Sequence, residues 1–178
     1  MFSALIFVAI LLIHVPNPIG GVIHFGDSLI FLAASVLPFP YGLFAAAIGP
    51  GLFNLMYAPM WLPFTVVIKP LMSLCFTSSG TKILCGRRNV LAPFVASVLG
   101  IALYFCAAVA LFSLGILPAG QVGAFSAAAA SLPGDMVQAT GSILFFFMIA
   151  RALDAARVKE RLVSYQAEKT SVQSGKKL

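Results

Sequence analysis

Four polar residues stand out in a chain that is otherwise strongly apolar: Asp27, Lys69, Asp135 and Gln138. Charge is costly at the depth of a lipid bilayer, so residues of this kind more often serve function than packing. Two carboxylates, an ammonium group and an amide together offer both donors and acceptors of hydrogen bonds. We therefore predict that these side chains contribute to one binding site for a small ligand.

Each carboxylate also has a structural interpretation. Asp27 follows Gly26 at the start of an apolar run, where it would cap a helix. Asp135 comes two residues after Pro133, in a first helical turn where the helix dipole favours a carboxylate. Gln138 lies three residues further on and shares a helix face with Asp135. Capping does not exclude ligand contact, so both interpretations stay open.

Lys69 gives the strongest functional signal in the chain. Pro70 removes a helix hydrogen bond and disfavours helical geometry at the residue before it. A cation beside such a kink should face protein or a cavity. Lys69 would then either form an ion pair with Asp27 or Asp135 inside the bundle or bind an anionic or electron-rich ligand.

Further candidates lie between these positions. Asn54 would add an amide contact, and Tyr57 and Trp61 would either stack on a planar ligand or belong to the aromatic belt at the membrane interface. His14 and His24 are lone histidines with weak spacing for metal ligation. We predict neither a metal nor another cofactor.

The composition identifies the environment of the chain. Of its residues, 61% are hydrophobic and 9% are charged, and its mean hydropathy is +1.04, whereas soluble domains carry about 25% charged residues. A membrane span needs about 20 apolar residues. Proline, glycine and polar interruptions predict an all-α membrane protein with six transmembrane helices, at about Phe2 to Val15, Asp27 to Leu37, Tyr41 to Met56, Leu62 to Phe76, Val90 to Leu114 and Pro133 to Leu153.

The basic residues predict the orientation. Seven of the eleven lie between Arg151 and Lys177, and the loop from Lys82 to Arg88 contains three more. With both termini in the cytoplasm, these two regions face inward, and the outer loops contain no lysine or arginine. We expect one bundle, residues 1–155, and a disordered basic tail, residues 156–178. The tail lacks the interleaved aromatic residues that nucleic-acid binding would need.

Two further expectations concern the ends of the chain and its chemistry. No cleavable signal peptide is evident, and we expect the first helix to lack a cytoplasmic turn that an upstream start codon would supply. The motifs HExxH, GxSxG and GxxxxGK[ST] are absent from the sequence. We predict that the protein is not an enzyme and that any use of ATP requires another subunit.

The motifs HFGDSLIFLAASV from His24, PYG from Pro40, AIG from Ala47 and WLPFTVVIK from Trp61 to Lys69 resemble a known family. The family comprises the substrate-binding S components of energy-coupling factor (ECF) vitamin transporters, and the riboflavin-type branch is the most similar. The resemblance covers about residues 3–155.

This resemblance implies a protein of the bacterial plasma membrane that binds a vitamin or precursor from outside, such as riboflavin, pyridoxine or hydroxymethylpyrimidine. Its partners would be a membrane coupling subunit, which packs against small residues such as Ser3 and Ala4 of the first helix, and two ATP-binding subunits. The first outer loop would act as a lid with hinges at Pro16, Pro18, Gly20 and Gly21.

Two alternatives remain. A self-sufficient transporter would use Asp27, Asp135 and Lys69 as a proton-coupled relay, although the small size and the lack of internal repeats disfavour it. A membrane protein without a transport role, such as an assembly factor or an intramembrane enzyme, is the second. Uptake measurements and ligand screens distinguish these two from a vitamin-binding subunit.

Overall fold

The computed structural model describes residues 1–16, 22–84, 86–118, 120 and 122–165. Most of these residues are helical. In chain order the elements are α1 Phe2–Leu12, β1 His14–Pro16, β2 Val22–His24, α2 Asp27–Val36, α3 Tyr41–Tyr57, α4 Leu62–Ser73, α5 Arg87–Ser113, α6 Ala124–Ala129 and α7 Leu132–Ala155. A 3₁₀ turn, Pro59–Trp61, joins α3 to α4.

The six predicted helices correspond to α1 to α5 and α7, and their boundaries differ by a few residues. The fourth helix ends at Ser73 rather than at Phe76, because the following amides form shorter-range hydrogen bonds of 3₁₀ type. The fifth begins at Arg87, three residues earlier than expected. A further short helix, α6, overlaps the alanine run at 127–130.

The first helix is shorter than predicted because a hairpin follows it. His14 pairs with His24 and Pro16 pairs with Val22 in an antiparallel ladder. Pro16 cannot donate a helical hydrogen bond and favours an extended conformation at Val15, so the helix ends at Leu12. Of the expected lid hinges, Pro16 lies in β1, while those at 18, 20 and 21 lie outside the described residues.

The exposed surface of the helices is apolar, as expected for a protein in lipid. In the described part of the chain, two stretches are long and apolar enough to cross a membrane, Arg87–Ser113 and Ala124–Ala155. Only 33% and 17% of their most apolar windows are buried inside the protein, whereas a core helix of a soluble protein would be mostly buried. The helices α1 and α2 have 11 and 10 residues, so the number of spans remains a prediction.

Close approach between α1 and α3 depends on a glycine. A Cβ atom at Gly49 would lie 2.8 Å from Cβ of Ile6 and 2.9 Å from the carbonyl oxygen of Ser3. Ile6 and Ile10 of α1 are fully buried against this part of the bundle. Ala4 is exposed on the opposite side of α1, where the predicted coupling-subunit contact would require it to be.

Near the C-terminal end of α7, polar side chains form hydrogen bonds to the loop before α5 and to the C-terminal end of α2. The two carboxylate oxygens of Asp154 accept hydrogen bonds from the backbone N–H groups of Ile83 and Leu84, at 2.7 and 2.9 Å. Lys159 is buried and donates to the carbonyl of Ser35 at 2.9 Å. Residues 158–165 of the predicted basic tail are helical, and residues 166–178 lie outside the described residues.

Candidate functional site

A buried ion pair joins α2 to α4. The Nζ atom of Lys69 lies 2.6 Å from Oδ1 of Asp27, and the two side chains are 4% and 6% exposed. The partners are 42 residues apart in sequence. This pair is one of the two that the sequence left open for Lys69. It also explains Asp27 better than helix capping does, because both of its oxygens accept bonds from side chains of other helices.

Gln138 connects this pair to α7 and to the hairpin. Its Nε2 donates to Oδ2 of Asp27 at 3.0 Å, and its Oε1 accepts the backbone N–H of His24 at 3.1 Å. Both ends of the amide are therefore engaged, which determines the orientation of the side chain. The connection makes the position of Asp27 dependent on four elements: α2, α4, α7 and β2.

A second series of side-chain hydrogen bonds runs from α3 through α4 to α5. Nδ2 of Asn54 donates to Oγ1 of Thr65 at 2.6 Å, and that oxygen lies 2.9 Å from the hydroxyl of Tyr104. The ring centroid of Tyr104 lies 5.1 Å from Nζ of Lys69, which is within cation–π range. The Asn54–Thr65–Tyr104 hydrogen bonds and the Asp27–Lys69 ion pair thus meet around the ammonium group of Lys69.

Asp135 belongs to neither of these two groups and contacts Ser131 instead. Its Oδ2 lies 2.9 Å from the hydroxyl of Ser131. The same hydroxyl lies 2.9 Å from the carbonyl oxygen of Ala128, so its single proton has two possible acceptors, this carbonyl and the carboxylate of Asp135. The carboxylate stands in the first turn of α7, where the helix dipole stabilises negative charge.

These side chains surround a cavity at one end of the bundle. The volume of the cavity is about 70 Å³, which is smaller than the range of about 300–1,000 Å³ that is typical of small-molecule pockets. The lining residues are Val22, His24, Pro50, Asn54, Trp61, Thr65, Lys69, Tyr104, Ser131, Asp135 and Gln138.

The structure brings most of the predicted site residues together. Asn54, Trp61, Lys69, Asp135 and Gln138 line the cavity. Asp27 lines a smaller adjoining cavity that shares Lys69, Asp135 and Gln138 with the first. Tyr57 is not part of either wall: it is 51% exposed and stacks on Phe53, with 4.8 Å between the ring centroids.

His24 belongs to the wall of the cavity. Its Nδ1 accepts the N–H of Gly26 at 3.2 Å. Burial lowers the pKa of His24 to about 4, so the ring is neutral at physiological pH and carries its proton on Nε2. Among the described residues, no three His, Cys, Asp or Glu side chains are grouped closely enough to hold a metal ion.

Sequence reasoning missed several lining residues. Thr65 could have been predicted from the sequence, because it lies four residues after Trp61 and four before Lys69, on the same face of a helix. Pro50 is a second missed case and lines the cavity from inside α3. Tyr104 has no comparable signal, since it is a single tyrosine in a long apolar helix whose rotation the sequence does not specify.

We expect Thr65→Val to lower the free energy of unfolding by about 1–2 kcal/mol, because it leaves the amide of Asn54 and the hydroxyl of Tyr104 without their shared partner. The measurement is thermal or denaturant unfolding of the purified protein in detergent. Thr65→Ser keeps the hydroxyl and should remain close to the wild type. Equal destabilisation by both variants would contradict the role assigned to this hydrogen bond.

The site combines apolar walls with a few fixed donors and acceptors, which is typical of sites that bind small molecules. Comparison with known proteins also supports a substrate-binding role. The family model described as ECF-type riboflavin transporter, S component, matches residues 1–155. No curated protein and no solved structure matches the chain.

Proposed function

Because the chain belongs to the S component family of ECF-type riboflavin transporters, we propose that its cavity captures a small aromatic vitamin or precursor. The family is one of transporter subunits and not of enzymes. The ligand would contact Asn54, Lys69, Asp135 and Gln138 with its polar groups and Trp61 with its ring. Asp27 would act by holding Lys69 and Gln138 in place.

The observation that supports this proposal most is the concentration of buried polar groups at one end of an apolar bundle. Lys69 and Asp27 are both almost fully buried. Burying this pair costs desolvation energy that packing of apolar residues would avoid. A ligand site gives a functional reason for retaining the pair, since the ammonium group also lines the cavity.

The proposed topology has six membrane helices with both termini in the cytoplasm of a bacterium. The basic residues support it, because Lys82, Arg87 and Arg88 lie at the opposite end of the bundle from the cavity, near the C-terminal end of α7. The cavity then opens outward, as capture from the medium requires. A membrane coupling subunit and two ATP-binding subunits would be needed for release inside, with the coupling subunit against Ser3 and Ala4.

The test combines binding and uptake. We expect the purified protein alone to retain one small heterocycle per chain, which mass spectrometry of the native protein identifies. Uptake of that compound, labelled with an isotope, should occur in cells that also produce an ECF coupling module and should stop when the module is deleted.

Other outcomes would favour the alternatives. Uptake that persists without the module and is abolished by a protonophore would indicate a proton-coupled transporter and would contradict the proposal. A protein that binds no compound in a broad vitamin screen, with unchanged cellular function in Lys69→Ala, would indicate a role outside transport.

A further inference from the structure

A second cavity lies at the end of the bundle opposite the proposed vitamin site. Its volume is about 270 Å³, and it lies between the connection from α2 to α3 and the connection from α4 to α5. The first connection and the start of α3 contribute apolar side chains, those of Leu37, Phe39 and Leu43. The second contributes polar ones, those of Thr77, Ser78, Ser79 and Arg88. The cavity therefore has an apolar wall and a polar wall.

The polar wall carries a positive charge at Arg88. Its Nε and Nη2 atoms donate to the backbone carbonyls of Cys75 and Leu74, at 3.0 and 2.8 Å. These bonds position the guanidinium at the C-terminal end of α4, whose dipole amounts to only about half a negative charge. In the described part of the chain, no carboxylate lies within 4.0 Å of Arg88. Three of the five N–H groups of a guanidinium remain available to an anion after two such bonds.

Ser78 adds further donors to the same wall. Neither its hydroxyl nor its backbone N–H forms a hydrogen bond to another described residue. The surroundings are also basic: the ranges 82–88 and 151–161 at this end of the bundle contain seven basic and two acidic residues. No aspartate or glutamate is among the described residues that line the cavity. The polar wall is thus complementary to a phosphate group.

The apolar wall distinguishes a lipid from a soluble anion. Phe39 and Leu74 line the cavity and are 74% and 47% exposed, so apolar surface continues from the cavity to the outside of the bundle. A soluble phosphate would match the guanidinium but would leave this surface uncovered. A phospholipid covers both walls, with its phosphate on one and its acyl chains on the other. Basic pockets on the cytoplasmic side of membrane helices bind the headgroups of anionic lipids.

We propose that this cavity holds an anionic phospholipid of the cytoplasmic leaflet, with its phosphate at Arg88 and Ser78 and its acyl chains along Leu37, Phe39 and Leu43. The inference depends on the proposed orientation of the protein in the membrane. It does not depend on which compound binds at the opposite end.

The test is native mass spectrometry of the purified protein in detergent, titrated with dioleoyl phosphatidylglycerol and with dioleoyl phosphatidylcholine. The two lipids have the same acyl chains, but the choline group neutralises the phosphate of the second. We expect the first molecule of phosphatidylglycerol to bind about 10-fold more tightly, as is typical of one charged hydrogen bond. Arg88→Gln should reduce this ratio to near one. Arg87→Gln removes the same charge from an exposed neighbour that does not line the cavity, and it should keep the ratio.

A second pair of variants leaves the contacts of Arg88 with α4 intact. Ser78→Asp places a carboxylate in the cavity at a side chain that forms no hydrogen bond, so the fold should be preserved while the phosphate is repelled. Thr81→Asp is the matched control, because Thr81 is exposed in the same connection and does not line the cavity. We expect the ratio to approach one in the first variant and to stay at the wild-type value in the second.

Several outcomes would overturn the proposal. A ratio near one in the wild-type protein would do so, as would equal effects of a variant and its control, which would indicate diffuse surface charge. Glycerol 3-phosphate, which lacks acyl chains, should not displace the lipid; displacement would assign the cavity to a soluble phosphate. Loss of the lipid from the complex with an ECF coupling module would assign the cavity to the coupling subunit. Vitamin binding, measured on the same variants, should be unchanged, so failure here leaves the proposed function standing.

Discussion

Lys69→Met is expected to abolish ligand binding and to lower the free energy of unfolding by about 3–5 kcal/mol. The variant leaves Asp27 buried with only the amide of Gln138 as a side-chain partner. A buried carboxylate without its cation is strongly unfavourable, and in a membrane protein water gives little compensation. Unfolding in detergent and calorimetric titration with the copurifying ligand measure the two effects.

A double variant separates stability from binding. Asp27→Asn together with Lys69→Met removes both charges, so most of the lost stability should return, while binding should remain weak because the ammonium group is still missing. Lys159→Met is a matched control, since Lys159 is also buried but bonds to Ser35 at the opposite end of the bundle. It should reduce stability without changing the affinity of the folded protein. Normal ligand affinity in folded Lys69→Met would show that the ion pair serves structure alone.

Gly49→Ala is expected to lower the free energy of unfolding by about 1–3 kcal/mol, the usual cost of overpacking a close contact. The new methyl group would lie 2.8 Å from Cβ of Ile6 and 2.9 Å from the carbonyl oxygen of Ser3. Neither atom is the mobile end of a side chain, so α1 itself must move. Since α1 leads into the hairpin whose Val22 and His24 line the cavity, binding should weaken as well.

Gly51 provides the control on the same helix. A Cβ atom there would lie 3.1 Å from Cγ1 of Val66 and 3.7 Å from Cδ1 of Leu62. These are side-chain atoms, and alanine is favoured over glycine in a helix by about 1 kcal/mol. Gly51→Ala should therefore stay within about 1 kcal/mol of the wild type. Equal free energies of unfolding in the two variants would contradict the role assigned to the contact of α1 with α3.

Several parts of the site were predictable because they depend on local sequence. The apolar runs place the helices, and the breaks at Pro16, Pro59 and Pro133 place their ends. Asp135 and Gln138 share a helix face by their spacing, and both line the cavity. Lys69 was expected to face protein or a cavity, and it faces both. Family membership was also predictable, since the four motifs that indicate it lie within one short part of the sequence, from His24 to Lys69.

Other parts were not predictable because they depend on how the helices are rotated against one another. Tyr57 lies only three residues from Asn54, yet its side chain stacks on Phe53 while Asn54 lines the cavity. The hairpin after α1 was missed because three-residue strands give too short a pattern to recognise. Tyr104 enters the site through Thr65 of another helix, 39 residues away.

The sequence by itself determined an apolar helical protein, the approximate ends of its helices and a small set of polar residues that lipid would not accommodate. Hydropathy and helical periodicity act over a few turns, so they can be read locally. Only the tertiary structure decided that Lys69 pairs with Asp27 rather than with Asp135. That choice depends on which helices approach most closely, as at Gly49, and on side-chain packing between segments distant in the chain.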